Sequence, residues 1–231
     1  ITSGDWSSDV CSSDLRARSI PVLLWYAHGS VPWKLRLSVR FASRIVTSTP
    51  EGFRIETPKK RVIGQAIDTD LFRIPPDRQR GLEVVSVGRI SRRKNVALLI
   101  VAMARVVREP GLQRARLRIV GPELTTDDAR YATELKDLIA RLGLAHTVEM
   151  TGAMLQSETA GLYRTAALHL NVSNTGSMDK TVMEALACGC PVLTSNEALF
   201  ETLAAFPAML IRAPAPDTLA AGIAGWLAGR T

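Results

Sequence analysis

Short runs of β-branched and aliphatic residues alternate along the chain with longer stretches whose apolar positions recur every three to four residues. That alternation is the pattern of a parallel sheet whose strands are joined by helices. Strands are predicted at Pro21–Tyr26, Arg44–Ser48, Arg61–Ile63, Glu83–Val87, Leu117–Val120, Thr147–Met150, Ala167–Leu170, Pro191–Thr194 and Ala208–Ile211. Helices are predicted at Pro32–Ala42, Asn95–Arg108, Asp127–Leu142, Ser157–Ala166, Asp179–Ala187 and Asp217–Ala228. Gly121, Gly143 and Gly189 fall where an element must stop, and glycine takes the tight or left-handed turns needed there. From Glu83 onward the order is β-α repeated, so the fold class is α/β, a Rossmann-like parallel sheet flanked by helices.

Two stretches break the pattern. In Ile74-Pro75-Pro76-Asp77-Arg78 the prolines remove backbone donors and hold the chain extended, which reads as an interdomain linker. Residues 1–15, ITSGDWSSDVCSSDL, repeat a Ser-Ser-Asp unit without apolar periodicity, lack the layout of a signal peptide, and resemble adapter-derived sequence. They are expected to be non-native and disordered. The expected organisation is a partial Rossmann-like domain at 16–75, a linker at 76–78 and a complete domain at 79–231. A chain of 231 residues has room for one full α/β domain and part of a second.

Composition narrows the classes. With 46% hydrophobic and 22% charged residues the bulk of the chain is globular, and the longest apolar run near the N-terminus, Ile20 to Ala27, is too short to cross a bilayer. The net charge of +7 hides an asymmetry: 22 Lys and Arg against 7 Asp and Glu between Arg16 and Arg118, then 7 against 12 from Ile119 onward. A basic first half points to an anionic partner, phosphate groups or acidic lipid heads, or else to a solvated surface. A nucleic-acid-binding module is the rival from another class. The basic residues are scattered among apolar elements and no aromatics interleave with them, so no nucleic-acid partner is expected. Cys188 and Cys190 lack the second pair or histidine of a zinc site and read as small core residues in a reducing, cytoplasmic setting.

Two constellations carry chemistry. Val87-Gly88-Arg89-Ile90-Ser91-Arg92-Arg93-Lys94-Asn95 is a strand end, a turn and a helix start. Ligands of open α/β sheets bind at the carboxyl ends of strands, so Gly88, which permits close backbone approach, with Arg89 and Lys94 is placed to hold a diphosphate. The second runs from Ser173 to Val192: a small polar loop, Ser177 as N-cap, and a helix whose free amides could face an anion. Glu184 lies inside its apolar run. A carboxylate there needs partners, either paired ribose hydroxyls or an ion pair with Lys180, Arg89 or Lys94.

Together these residues resemble the family-4 retaining glycosyltransferases of the GT-B fold, truncated at the N-terminus. The resemblance rests on Gly88-Arg89 through Lys94, on Ile119-Val120-Gly121-Pro122, on Thr151-Gly152 and on Glu184 through Val192. It extends upstream through Ser48 to Phe53 and Ile63 to Phe72, and covers about residues 20–225. It implies a GT-B C-terminal, donor-binding domain at 79–231 that takes a nucleoside diphosphate sugar, UDP-sugar or GDP-sugar, as substrate, with no cofactor and no metal. The implied reaction is transfer of a hexose to a hydroxyl acceptor with the anomeric configuration kept, in cell-envelope or polysaccharide glycan assembly. Arg89 and Lys94 would hold the diphosphate, Glu184 the ribose, and Gly121 with Gly152, Met154 and Leu155 would border the base. His28, after the strand ending at Tyr26, matches the position where the acceptor domain presents a histidine to the reacting sugar.

One departure stands out: where family members carry a second Glu eight residues before Glu184, this chain has Gly176. Asp179, or the loop around Ser177, Met178 and Lys180, would then hold the sugar. A catalytically reduced sugar-nucleotide-binding protein and a sugar-nucleotide epimerase are the alternatives. The basic residues Arg36, Arg40, Arg44, Lys59, Lys60 and Arg61 suit a lipid-linked acceptor with peripheral contact at the inner membrane face, and a polysaccharide precursor fits equally. The 231-residue chain itself is expected to bind nucleotide weakly and to transfer no sugar, since a cleft without one wall cannot exclude water.

Overall fold

The computed structural model describes residues 15, 18–77, 80–173 and 178–229. The segment expected to be non-native, residues 1–15, lies outside the described residues except for Leu15, and so do Gly176 and Ser177. The chain forms two units, residues 1–65 with 176–178, and residues 66–175 with 179–231.

The first unit is a three-stranded parallel sheet in the order β1 (Leu23–Trp25), β2 (Arg44–Thr47), β3 (Lys60–Val62), with helix α1 (Trp33–Phe41) between β1 and β2. Its core is Leu35, Ala42, Ile45 and Phe53. Tyr26 meets Phe53 edge-on at 6.1 Å.

The second unit holds the larger core. Its elements run β4 (Glu83–Val87), a 3-10 turn (Arg92–Lys94), α2 (Val96–Val106), β5 (Arg116–Val120), α3 (Thr126–Arg141), β6 (Val148–Gly152), α4 (Gln156–Thr165), β7 (Leu168–Asn171), α5 (Lys180–Ala187), β8 (Val192–Thr194) and α6 (Pro216–Ala228). All five strands are parallel, in the order β6-β5-β4-β7-β8. The chain therefore builds outward from β4 in one direction, returns, and builds outward in the other. Val84, Val85, Leu117, Ile119, Leu168 and Leu170 are fully buried in this sheet, which is covered by apolar faces such as Leu99, Ile100, Met103 and Val106 of α2. Each such side chain contributes about 1.5–3 kcal/mol on burial. Cys188 and Cys190 are buried, their thiols against the Ala160 and Ala166 carbonyls at 3.9 and 3.7 Å.

The observed elements correct two expectations. Ala208–Ile211 is not a strand: Pro207 fixes a 3-10 turn over Pro207–Met209, and only one bridge, Thr194 to Leu210, joins this segment to the sheet edge. The division of the chain falls at 65/66 rather than at the prolines. Phe72 explains this, because it is 2% exposed and packs at a tilt against Tyr163 of α4, ring centroids 6.3 Å apart, while Arg164 donates to the Leu71 carbonyl at 2.6 Å. Residues 66–73 are thus held by α4, within the second unit.

Candidate functional site

The strand order reverses between β4 and β7, where Val87, Gly88, Lys94, Asn171 and Val172 line a small cavity at the carboxyl edge of the sheet. Both sequence constellations lead off these two strands.

The β4 loop is shaped by glycine. Gly88 takes φ +150°, and a Cβ there would meet the Lys94 side chain at 3.6 Å. Gly121, after β5, takes φ +151°, and a Cβ there would lie 1.9 Å from the Gly88 carbonyl oxygen. The two loops therefore touch backbone to backbone. The Gly88 amide donates to Val120 at 2.9 Å, Ile90 to Pro122 at 3.0 Å, and Gly121 to Gly152 at 2.8 Å, which ties the turns after β4, β5 and β6 into one floor. Gly152 itself takes φ +74°; beyond it Met154 is half-buried and Leu155 is exposed. Asn95 ends the 3-10 turn in the left-handed region (φ 48°) and donates to the Val172 carbonyl beyond β7 at 3.2 Å, joining the two loops across the reversal.

Both cations expected to meet a diphosphate hold acids. Arg89 Nε donates to Asp128 Oδ2 at 2.7 Å. Asp128 is the third residue of α3 in a capping box with Thr125, and it also accepts from the Leu124 and Thr125 amides at 3.0 and 3.1 Å. The Arg89 guanidinium holds the Asp128 carboxyl below its ordinary value, against the opposing effect of burial. Lys94 Nζ donates to Asp179 Oδ1 at 2.9 Å, and Asn171 Nδ2 donates to Asp179 Oδ2 at 2.8 Å. Asp179 stands at the N-cap position of α5, yet its side chain makes no capping bond.

Beneath this pair lies His169 of β7, fully buried and edge-on to Tyr163 at 5.3 Å. Burial pushes its pKa from 6.5 down to about 3, with nearby Lys94 adding to the effect and Asp179 opposing it. The unfolded state therefore binds a proton that the native state refuses, so stability contributed by the neutral ring is present above pH 6.5 and lost as pH falls toward 3. Between pH 7 and 5 this one group is expected to remove about 2 kcal/mol of folding stability. Urea unfolding at the two pH values checks it, with His169→Asn expected to flatten that slope. Glu184, whose pKa burial raises, works in the opposite sense, gaining stability as pH falls toward 4.5.

Glu184 is 8% exposed on α5. Among the described residues its carboxylate forms no ion pair with Arg89 or Lys94, and Lys180 acts on it only at longer range. The ion-pair alternative for Glu184 is therefore not what the structure displays, which leaves its oxygens for other donors. Gly88, Arg89, Lys94, Asp179, Lys180 and Glu184 all lie on loops and helices following β4 and β7. Met178 is half-buried, immediately before Asp179, while Gly176 and Ser177 lie outside the described residues. His28 belongs to the first unit, where its Nδ1 contacts the Ser30 hydroxyl at 2.9 Å and its amide donates to Gly52 at 2.8 Å.

Four side chains of the site are absent from the sequence reading. Asp128 carries a local signal, the Thr125-x-x-Asp128 capping spacing. Asn171, Thr194 and Asn196 are polar residues at the ends of apolar strands β7 and β8, and only the strand order shows that the two asparagines meet Asp179 and that Thr194 holds Asn171.

The fold and the site define the class: a doubly wound α/β domain of GT-B type, with Arg89, Lys94 and the buried Glu184 on the loops and helices that follow the two strands at its topological switch point. The profile of the Glycosyl transferases group 1 family matches residues 81–228. Alpha-monoglucosyldiacylglycerol synthase of Streptococcus pneumoniae is 27% identical over 175 residues, 70% of this chain and 38% of that protein. A D-inositol 3-phosphate glycosyltransferase of Nocardiopsis dassonvillei is 29% identical over 204 residues, 79% of this chain and 47% of that protein. Anabaena HepE in complex with UDP and glucose superposes with a TM-score of 0.78 at 20% identity, over 93% of this chain and 64% of that one. The chain belongs to the glycosyl transferases group 1 family. It spans less than half the length of these two curated relatives.

Proposed function

We propose that the whole protein is a retaining hexosyltransferase that moves a sugar from a UDP-sugar or GDP-sugar to a hydroxyl acceptor in the cytoplasm. The observation that carries this reading is the Lys94–Asp179 ion pair at the point where the strand order reverses, with Arg89 on the neighbouring turn and the buried Glu184 carboxylate, which forms no ion pair among the described residues, on α5. In the reaction the bond from the anomeric carbon to the diphosphate oxygen breaks and its electron pair leaves with the diphosphate. The acceptor oxygen bonds to the same face of that carbon, and its proton passes to the departing phosphate oxygen. Lys94, Arg89 and the amides opening α5 would neutralise the charge that builds on the leaving group, where preorganised donors act most strongly. Glu184 would accept from the ribose hydroxyls, and Gly121 and Gly152 through Leu155 would border the base. That HepE was crystallised with UDP-glucose supports the donor class.

A lipid-linked acceptor in envelope or polysaccharide assembly, met at the inner membrane face, fits the first unit. No Asp or Glu occurs from residue 16 to 50, and α1 exposes Trp33 (70%) and Leu37 (50%) beside Lys34, Arg36 and Arg40, the mixture that favours an anionic lipid surface. No helix among the described residues is long and apolar enough to cross a membrane.

The test is a thermal-shift screen of the protein against nucleoside diphosphate sugars, with phosphatidylglycerol and phosphatidylcholine vesicles in a parallel sedimentation assay. A ligand that binds only the native state at 100 times its Kd stabilises it by about 2.7 kcal/mol, so one donor is expected to raise the midpoint by several degrees. Sedimentation is expected with phosphatidylglycerol alone. No shift with any UDP- or GDP-sugar would sink the donor reading, and equal sedimentation with both lipids the membrane one.

A further inference from the structure

The arrangement around Asp179 says more than that an acid lies near a lysine. Its Oδ1 takes the Lys94 ammonium at 2.9 Å, while its Oδ2 accepts from Asn171 at 2.8 Å and lies 3.4 Å from Asn196 Nδ2. The two amides are themselves fixed. Asn171 Oδ1 accepts from the Thr194 hydroxyl at 3.0 Å, and Asn196 Oδ1 accepts from the Ala198 amide at 3.1 Å, so in each case the NH2 end is the one turned to Asp179. Thr194 also accepts from the Asn196 amide at 3.1 Å, closing the network over the end of β8. The Asp179 side chain is 12% exposed and that of Lys94 21%, which shields the pair from solvent and strengthens it. A carboxylate with both oxygens engaged has little capacity left for sugar hydroxyls.

We propose that Asp179, held by Asn171 and Asn196, is a built-in competitor for Lys94: it aligns the ammonium while the groove is empty and weakens the grip on the nucleoside diphosphate left after transfer. The proposal rests on the reading of Lys94 as a diphosphate ligand. A phosphate oxygen and the Asp179 carboxylate are alternative or shared partners of one ammonium, so the carboxylate subtracts from the affinity that Lys94 lends to any bound diphosphate. Asp179 is in this sense a positioning residue, and the two asparagines and Thr194 fix the direction from which it acts. Release of the spent nucleotide often limits enzymes of high donor affinity, and a fixed counterion lowers that barrier without removing the cation.

The sign of the effect separates this role from a structural one. Asp179→Asn keeps the shape and the contact with Asn171 but removes the charge. In isothermal titration of the 231-residue chain with UDP and with GDP, this variant is expected to bind whichever nucleotide the parent binds with a Kd lower by roughly tenfold, equivalent to about 1.4 kcal/mol. Asp179→Glu, which keeps the charge, is expected to stay nearer the parent. Asp179→Ala provides a second neutral variant with the same expected direction. A residue that only props up the loop would give weaker binding when replaced, so equal or weaker binding by both neutral variants overturns the proposal. If the parent itself binds neither UDP nor GDP, the diphosphate reading of Lys94 falls and takes the proposal with it; parent binding with no tightening in the variants leaves that reading intact and removes this one alone.

Discussion

Replacing Lys94 with alanine in the whole protein is expected to cut sugar transfer by roughly 10²–10³-fold, the loss seen when one preorganised charge-stabilising donor is removed from an active site. The side chain ends over Gly88 at the switch point, where the ammonium would meet the oxygens on which charge develops as the donor bond breaks. Removing it also leaves Asp179 without its cation, but the carboxylate keeps the Asn171 amide at 2.8 Å, and the folding penalty is expected to be about 1–3 kcal/mol. Arginine is not a mild replacement here. Its broad planar fork does not reproduce the compact ammonium that Asp179 Oδ1 holds at 2.9 Å. Steady-state turnover with a labelled donor, read beside a thermal melt, checks both parts. Turnover within threefold of the parent would remove Lys94 from the mechanism.

The second large effect concerns the chain rather than the chemistry. Gly121→Ala places a methyl group 1.9 Å from the Gly88 carbonyl oxygen and 2.6 Å from its carbon, and both are backbone atoms that cannot swing aside. The turns after β4 and β5 would have to separate, breaking the Gly88 to Val120 and Gly121 to Gly152 hydrogen bonds, at a backbone angle that alanine already disfavours. A loss of about 3 kcal/mol or more in urea unfolding is expected, together with loss of nucleotide binding. Gly143→Ala supplies the contrast. It too has positive φ, +67°, but nothing lies within 4 Å of the added carbon, so only the conformational cost of about 1–2 kcal/mol should appear. Equal losses at the two positions would show that the contact between the loops contributes nothing.

Periodicity made most of the architecture legible, because strands buried on both faces read as apolar runs and the helices between them show one apolar stripe. Glu83–Val87 and Pro216–Ala228 match their predicted spans within a residue. The segment Ala208–Ile211 misled because its apolar composition is that of a strand, whereas Pro207 and a position beyond the sheet edge leave it a turn and a single bridge. Phe72 was invisible as a member of the second unit, since an isolated aromatic before two prolines carries no sign of which core receives it. The site divides in the same way. Gly88, Arg89 and Lys94 announce themselves within one loop, and Glu184 does so by being charged inside an apolar helix. The partners that decide their electrostatics, Asp128 for Arg89 and Asp179 with Asn171 and Asn196 for Lys94, depend on strand order and register, which no local pattern encodes.

The adjacency of β4 and β7 in the sheet, set against the 85 residues that separate Lys94 from Asp179, has a consequence for biogenesis. A chain emerging from the ribosome exposes the lysine loop and one bare edge of β4 well before β7 exists to cover them. Until that strand threads in, the ammonium has no counterion and the open edge invites pairing with foreign strands. The site between β4 and β7 is thus assembled late, by closure of a long loop, and a nascent chain interrupted before Leu168 would carry the adhesive edge without the acid that disciplines its charge.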